Sequence, residues 1–407
     1  MTSRYRWVIL GVGAAGAGAF SALRMGLPAL GPAIRDAYGL SLPEVGLAFT
    51  AIAVGVMATL VPWGVLTDRV GERPVMSGGL AATAAALAAT AYVPSYALLL
   101  TGLFAAGAFG ASSTGASGRA VMGWFDRSER GFALGIRQMA LPLGGALASL
   151  ALPHLAGANG VRGAMLALSG LCLTAAVAAA VLMRDAPPPT SPLPAIAAPP
   201  PTRDRRLWRL GAGGALLVAA QASMLGFVVL FLHDARGLSA ATAAGALAAV
   251  QLIGAGARIV AGRRSDREGL RIAPMRRMAV RNFALLLLTA ALASAPVALL
   301  LPVLLWATVS TMTWNGLAFT AAAEISGRAR AGTAMSFQNT IIAIGGAVAP
   351  SAFGALVDAT SWAGGFAVLA VAPLLAMWVL RPLEGEEDRR LAERARRLAE
   401  LRPMEAS

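Results

Sequence analysis

One ten-residue pattern occurs twice in this chain, 198 positions apart, and it narrows the fold more than any other feature. Gly64-Val-Leu-Thr-Asp68-Arg69-Val-Gly71-Glu-Arg73 returns as Gly262-Arg-Arg-Ser-Asp266-Arg267-Glu-Gly269-Leu-Arg271, and both copies read G-x-x-x-D-R-x-G-x-R without insertion. The same offset carries Asp36-Ala-Tyr-Gly39-Leu40-Ser41 onto Asp234-Ala-Arg-Gly237-Leu238-Ser239. Two segments in register at one offset imply an internal duplication. The chain is therefore read as two similar halves.

Those halves are apolar. Of 407 residues, 57% are hydrophobic and 13% charged, where a soluble protein carries about 25% charged residues. Mean hydropathy is +0.67. A bilayer core needs about 20 apolar residues of helix. Runs of that length fall near 7–33, 43–66, 74–93, 96–122, 131–155 and 161–183, then near 208–233, 240–262, 274–295, 297–322, 331–357 and 362–381. The expected fold is an all-α membrane protein with twelve transmembrane helices in two pseudo-symmetric six-helix bundles. The bundles are placed at 1–184 and 208–382, with a Pro-rich linker at 185–207 and a charged tail at 383–407. Ser41-Leu-Pro-Glu44 is a capping-box start for the second helix. Pro74, Pro94 and Pro296 punctuate later ones. The first apolar run is longer than a signal-peptide core and reads as a retained helix.

All 34 basic residues are arginine, and net charge is +14. They sit in short clusters between apolar runs, the pattern of the positive-inside bias rather than of a nucleic-acid-binding face. Arg4, Arg6, Arg69, Arg73, Arg127, Arg130, the linker, Arg263 to Arg281, Arg328, Arg330 and the tail share one side, which places both termini in the cytoplasm of a bacterial inner membrane. The other side holds little beyond Arg35, Arg162 and Arg236. In the tail, Leu391, Ala395, Leu398 and Leu401 have helical spacing, which fits an amphipathic surface helix or a solvated one. Cys172 is the single cysteine, so neither a disulfide nor a multi-thiolate metal site forms within one chain. No cofactor is implied.

The repeated loops carry a resemblance. Gly64, Asp68, Arg69, Gly71 and Arg73 between the second and third helices, with Gly262, Asp266, Arg267, Gly269 and Arg271 between the eighth and ninth, resemble the signature of the major facilitator superfamily. The resemblance covers nearly the whole chain and implies alternating access around a site between the two bundles. It implies that the loops act as a conformational latch rather than as a substrate site. Read from the residues alone, Asp68 at a helix end beside arginines can bond across to a neighbouring helix, Gly64 permits close helix approach and Gly71 permits a turn with positive φ.

Charges inside a span are functional candidates because they are costly there. Arg24 lies well inside the first helix, ahead of Pro28 and Pro32 and without an acidic partner on that helix. It either offers a fixed positive charge to an anion if it faces the central cavity, or snorkels to the outer interface or bonds to carbonyls freed by the prolines. Its repeat position is Ala222, flanked by Gln221 and Ser223. Arg137-Gln138 in the fifth helix repeats as Gln338-Asn339 in the eleventh, and together these could grip a carboxylate, unless Arg137 points to cytoplasmic water. Gln251, Trp314-Asn315 and Ser112-Ser113-Thr114 are weaker cavity candidates, while Arg119 and Arg258 read as interfacial.

No carboxylate falls at mid-span: Asp36, Glu44, Asp234 and Asp358 lie near outer ends, and Asp68, Asp126, Asp266 and Glu324 near inner ends. His154 and His233 also fall near the outer face. The resemblance implies that a proton-driven exporter of cationic drugs would need a buried carboxylate, so the expected solute is a small organic anion such as a carboxylate. Coupling would be by exchange, or by a proton carried near Asp36, Glu44 or the substrate. The alternatives are a drug or metabolite efflux pump and a transporter-like ligand sensor. Gly11-Val-Gly13-Ala-Ala-Gly16 matches a dinucleotide fingerprint but lies inside an apolar run with no strand before it, so helix packing explains it better. No HExxH or GxSxG motif points to an enzyme. One chain holds both halves and is expected to act as a monomer in the bilayer.

Overall fold

The computed structural model describes residues 2–125, 130–184, 203–326 and 331–401. The linker from Asp185 to Thr202, the loop residues Asp126, Arg127, Arg328 and Arg330, and the side chains of Asp68, Arg130 and the tail from Arg390 lie outside the described residues.

Helix α1 (Thr2–Gly26) passes through a 3-10 turn at Leu27–Leu30 into α2 (Gly31–Tyr38). Pro28 and Pro32 each begin a new segment there, because proline fixes φ and withholds the N–H that would continue the ladder. Helix α3 (Leu42–Val70) opens on the capping box, with Glu44 Oε2 accepting from Ser41 N at 2.8 Å. Helices α4 (Glu72–Thr90) and α5 (Tyr96–Trp124) follow. Helix α6 (Arg130–Leu182) leaves helical geometry at Asn159 and at Gly160, whose φ is +63°. That break falls between the predicted fifth and sixth spans.

The second half begins with α7 (Arg205–Leu230), which continues through a π turn at Phe231–Ala235. Asp204 caps α7 by accepting from Arg206 N at 2.9 Å, so the helix starts inside the predicted linker. Then come α8 (Ala240–Glu268), α9 (Ile272–Ala291), α10 (Val297–Thr311), α11 (Asn315–Ser326), α12 (Ala331–Ala359), α13 (Trp362–Leu369) and α14 (Val371–Leu401). Further boundaries differ from the sequence reading, and the predicted span 362–381 is divided at Ala370. The predicted span 297–322 is broken at Met312–Trp314, and α14 runs from the apolar region into the charged tail without a stop at 383. The described residues contain no strand, and nine helices among them are long and apolar enough to cross a membrane. A count of twelve takes α6 twice and adds α4 and α9.

Helices α1–α6 pack mainly on one another, as do α7–α14. The duplication shows in the packing. A Cβ on Gly144 would come within 2.2 Å of Gly18 O where α6 crosses α1, and one on Gly345 within 2.3 Å of Ala215 O where α12 crosses α7. The halves meet along α3 against α12 and α6 against α8.

The two repeated loops lie at one end of the molecule, the loop face. At the opposite face the halves share one core. Phe227 of α7 packs against Phe49 of α3 at 6.1 Å and Phe353 of α12 at 5.3 Å. Thr50 Oγ1 donates to Ala347 O at 2.6 Å, Arg35 pairs with Asp234, and Gly46 and Gly354 let α3 and α12 touch backbone to backbone. At the loop face the cores separate. Leu207, Leu210, Met275, Ala318, Ala334 and Leu383 belong to a cluster drawn from the second half alone. Leu10, Val121, Phe125 and Ala133 form one drawn from the first. The halves are joined at one face and split at the other.

Candidate functional site

Arg24 stands at the centre of this arrangement. Ser21 Oγ donates to Leu141 O at 2.7 Å, and Gln251 Nε2 donates to Met25 O at 3.2 Å, so α1 is pinned to α6 and α8 on either side of Arg24. The guanidinium has no hydrogen-bond or ion-pair partner among the described residues. Its side chain is exposed, although the residues on either side of it are bonded to helices of both halves. An arginine at mid-membrane costs about 2.5–3.5 kcal/mol even with relief from water, so this charge is held where water or an anion can reach it.

Arg137 is placed differently. It is buried, with Nε donating to Ser117 Oγ at 2.8 Å, Nη2 to Thr114 O at 2.7 Å and Nη1 to Gln138 Oε1 at 3.1 Å. It neither points to water nor joins its repeat mates. Gln338 is fully buried with both amide atoms unpartnered, and Asn339 is half-buried. The expected four-residue grip is not assembled, because α6 and α12 belong to halves that are split toward the loop face. Gln251, a weaker cavity candidate with helix packing as its plainer role, takes the packing role. It is buried and donates to Ser149 Oγ at 3.1 Å as well as to Met25 O, so it fastens the halves together. Ser113 Oγ donates to Gly110 O at 2.8 Å, Ser112 Oγ is buried without a partner, and Trp314 is buried.

Gln221 and Asn315 do come together, 3.4 Å apart, at the break between α10 and α11. Turning the Gln221 amide exchanges that contact for two shorter ones, its nitrogen donating to Thr311 O at 3.2 Å and its oxygen accepting from Arg258 Nη2 at 3.3 Å. Arg258 Nε donates to Met312 O at 2.7 Å. Arg281 of α9 reaches the same break, donating to Ser310 Oγ at 2.7 Å and Thr313 Oγ1 at 3.3 Å. Arg258, read as interfacial, and Arg281, grouped with the loop arginines, thus converge on a helix break. Sequence reasoning missed them because that break carries neither proline nor glycine. Thr114 and Met312 occupy the same repeat position, and each carbonyl holds an arginine, one from α6 and one from α8.

At the loop face, Gly71 (φ +93°) and Gly269 (φ +67°) make the turns. Arg73 Nε donates to Ala180 O at 2.8 Å, and Arg119 pairs with the buried Glu72 at 3.2 Å. Arg69 and Arg267 are exposed. Arg271 pairs with Asp266 at 2.6 Å and Glu324 at 3.0 Å. Burial pushes its guanidinium down, but the bonds to those carboxylates outweigh this and hold it above its ordinary value. Glu387 of α14 accepts from the backbone N–H of Arg271, Ile272 and Ala273 at 2.6–3.1 Å, so a tail carboxylate caps α9. Gly64 was expected to permit close helix approach, yet a Cβ there, or at its repeat mate Gly262, would meet no atom within 4 Å, so those helix faces are bare here.

Two duplicated helical halves built from membrane-length apolar helices are the architecture of a multi-pass membrane transporter. The Major Facilitator Superfamily profile matches residues 12–350, and the chain belongs to that family. An uncharacterised MFS-type transporter of Mycobacterium tuberculosis is 35% identical over 355 residues, covering 86% of this chain and 79% of that one. A probable sulfoacetate transporter, SauU, of Cupriavidus necator is 27% identical over 164 residues, 40% of this chain and 38% of its own. A bacterial homologue of the human lysosomal transporter Spinster, solved inward-facing and occupied, superposes with TM-score 0.81 at 16% identity, covering 93% and 97% of the two chains. The nucleoside transporter NupG superposes with TM-score 0.75 at 13% identity, covering 92% and 99%. These two likenesses concern the fold.

Proposed function

We propose that this MFS transporter is a secondary active carrier of a small organic anion, working by alternating access between bundles 1–184 and 208–382. With twelve crossings the linker, the tail and both repeated loops share one side, and the arginine bias makes that side the cytoplasm of a bacterial inner membrane in this reading. The conformer is then inward-facing: its outer face is held by the shared aromatic core and Arg35–Asp234, and its cytoplasmic face is split. The likeness to an inward-facing Spinster homologue supports that orientation. Rocking of the halves about the α3–α12 and α6–α8 contacts would expose the cavity to the other side, with the two loops and their carboxylate–arginine bonds as latch elements.

The observation that carries the substrate class is Arg24, an exposed guanidinium with no partner among the described residues, in spans that hold no mid-depth carboxylate to neutralise it. An anion compensates that charge, whereas a cation would be repelled. The similarity to a probable sulfoacetate transporter over part of the chain points the same way. The reading of a proton-coupled pump for cationic drugs gains no support, since it would need an acid at that depth. In proteoliposomes, Arg24→Gln is expected to reduce uptake of organic anions by at least about tenfold, with Arg24→Lys retaining part of it. Wild-type uptake by Arg24→Gln would contradict the assignment.

A further inference from the structure

We propose that the break between α10 and α11 is a second anion subsite, so that the solute carries two acidic groups, one for Arg24 and one for this break. The inference rests on the anion-carrier reading above and adds a site in the other half of the molecule. Arg258 and Arg281 reach the break from α8 and α9 and bind it through Met312 O, Ser310 Oγ and Thr313 Oγ1. These bonds occupy only some of the donors on each planar five-donor guanidinium. The remaining donors stay beside the break.

Helix α11 also begins here, and the N–H groups of a first helical turn have no intrahelical acceptor. Those groups and the positive end of the helix favour an anion. Asn282 supplies an independent sign. It is fully buried, its Oδ1 accepts from Ser310 Oγ at the break, and its Nδ2 has no partner. A buried amide nitrogen without an acceptor is costly, and an acidic oxygen at the break would satisfy it. Within α7–α11, no Asp or Glu lies between the π-turn residue Asp234 and Asp266, or between Glu268 and Glu324. The two arginines therefore have no carboxylate of the protein at their own depth.

The subsite lies level with Arg24 across the molecule. Arg258 Nη2 donates to Gln221, which adjoins Ala222, the repeat position of Arg24. One half thus offers a single free guanidinium, and the other offers two arginines and a helix N-terminus. A carboxylate or sulfonate at each end of one small solute would compensate both.

The test is isothermal titration of purified protein with a chain-length series of α,ω-dicarboxylates and with the monocarboxylates of matching length. The wild type is expected to prefer a dicarboxylate over its monocarboxylate by about tenfold or more. Arg258→Gln should bring that ratio toward one, while Arg258→Lys keeps part of it. Arg281→Gln carries the same expectation and applies if Arg258→Gln does not fold. A ratio unchanged in the glutamine variants, or no preference in the wild type, would overturn the subsite, while loss of monocarboxylate binding in Arg24→Gln would leave the anion-carrier reading standing. If no carboxylate bound the wild type, both would fall.

Discussion

At the scale of single residues, cost is what makes function legible. Arg24 could be singled out from the sequence because a guanidinium inside a span has no bland explanation that avoids snorkelling or pairing, and the structure gives it no pairing partner among the described residues. Arg258 and Arg281 escaped the same reasoning. Their depth counted along the chain is close to helix ends, and only the tertiary fold brings them to Met312–Trp314. Arg137 was legible as a candidate inward arginine but not its partner, since the Ser117 bond depends on how two consecutive helices are rotated against each other. The glycines of the repeated loops add a prediction. A side chain at Gly64 meets open space in this conformer, so Gly64→Trp should leave thermal stability within about 0.5 kcal/mol of wild type. The same bulk should obstruct closure of the loop face and lower turnover at least about tenfold. Normal transport by Gly64→Trp, measured beside its melting curve, would show that this face never closes on Gly64.

At the scale of elements, carboxylates at helix ends do the joining. Glu387 caps the first turn of α9 from the middle of α14. The sequence showed a charged tail there, but a cap supplied from more than a hundred residues away leaves no local pattern. Removing it in Glu387→Ala should destabilise the second half by about 1 kcal/mol, read as a lower unfolding midpoint. An unchanged midpoint would mean that water replaces the carboxylate at no cost. On the other face, Arg35 of α2 pairs with Asp234 of the π turn across the two halves. Asp234→Asn should shift the population toward a conformer open at that face, and the charge-swapped Arg35→Asp/Asp234→Arg pair should restore closure. Spin-label distances across the α2–π-turn gap would read the shift, and an identical distance distribution in Asp234→Asn would refute it.

At the scale of the whole molecule, much was written in the sequence. The offset that aligns Asp68 with Asp266 also aligns the packing of Gly144 on Gly18 with that of Gly345 on Ala215 to within a few residues. Helix periods and prolines marked most of the breaks. The side on which the molecule opens could not be read there. It depends on contacts such as Phe49 with Phe227 and Thr50 with Ala347, which join residues far apart in the chain and exist in only one conformer. The account therefore turns on a positive charge at residue 24, in a cavity reached from the loop face. The direct measurement is charge rescue. Arg24→Cys is made in a Cys172→Ser background, the native thiol being buried, and is treated in sided vesicles with methanethiosulfonates carrying either an ammonium or a sulfonate. The ammonium reagent applied to the loop face should restore anion uptake, and the sulfonate reagent should not. Full uptake by untreated Arg24→Cys, or equal rescue by both reagents, would contradict the claim.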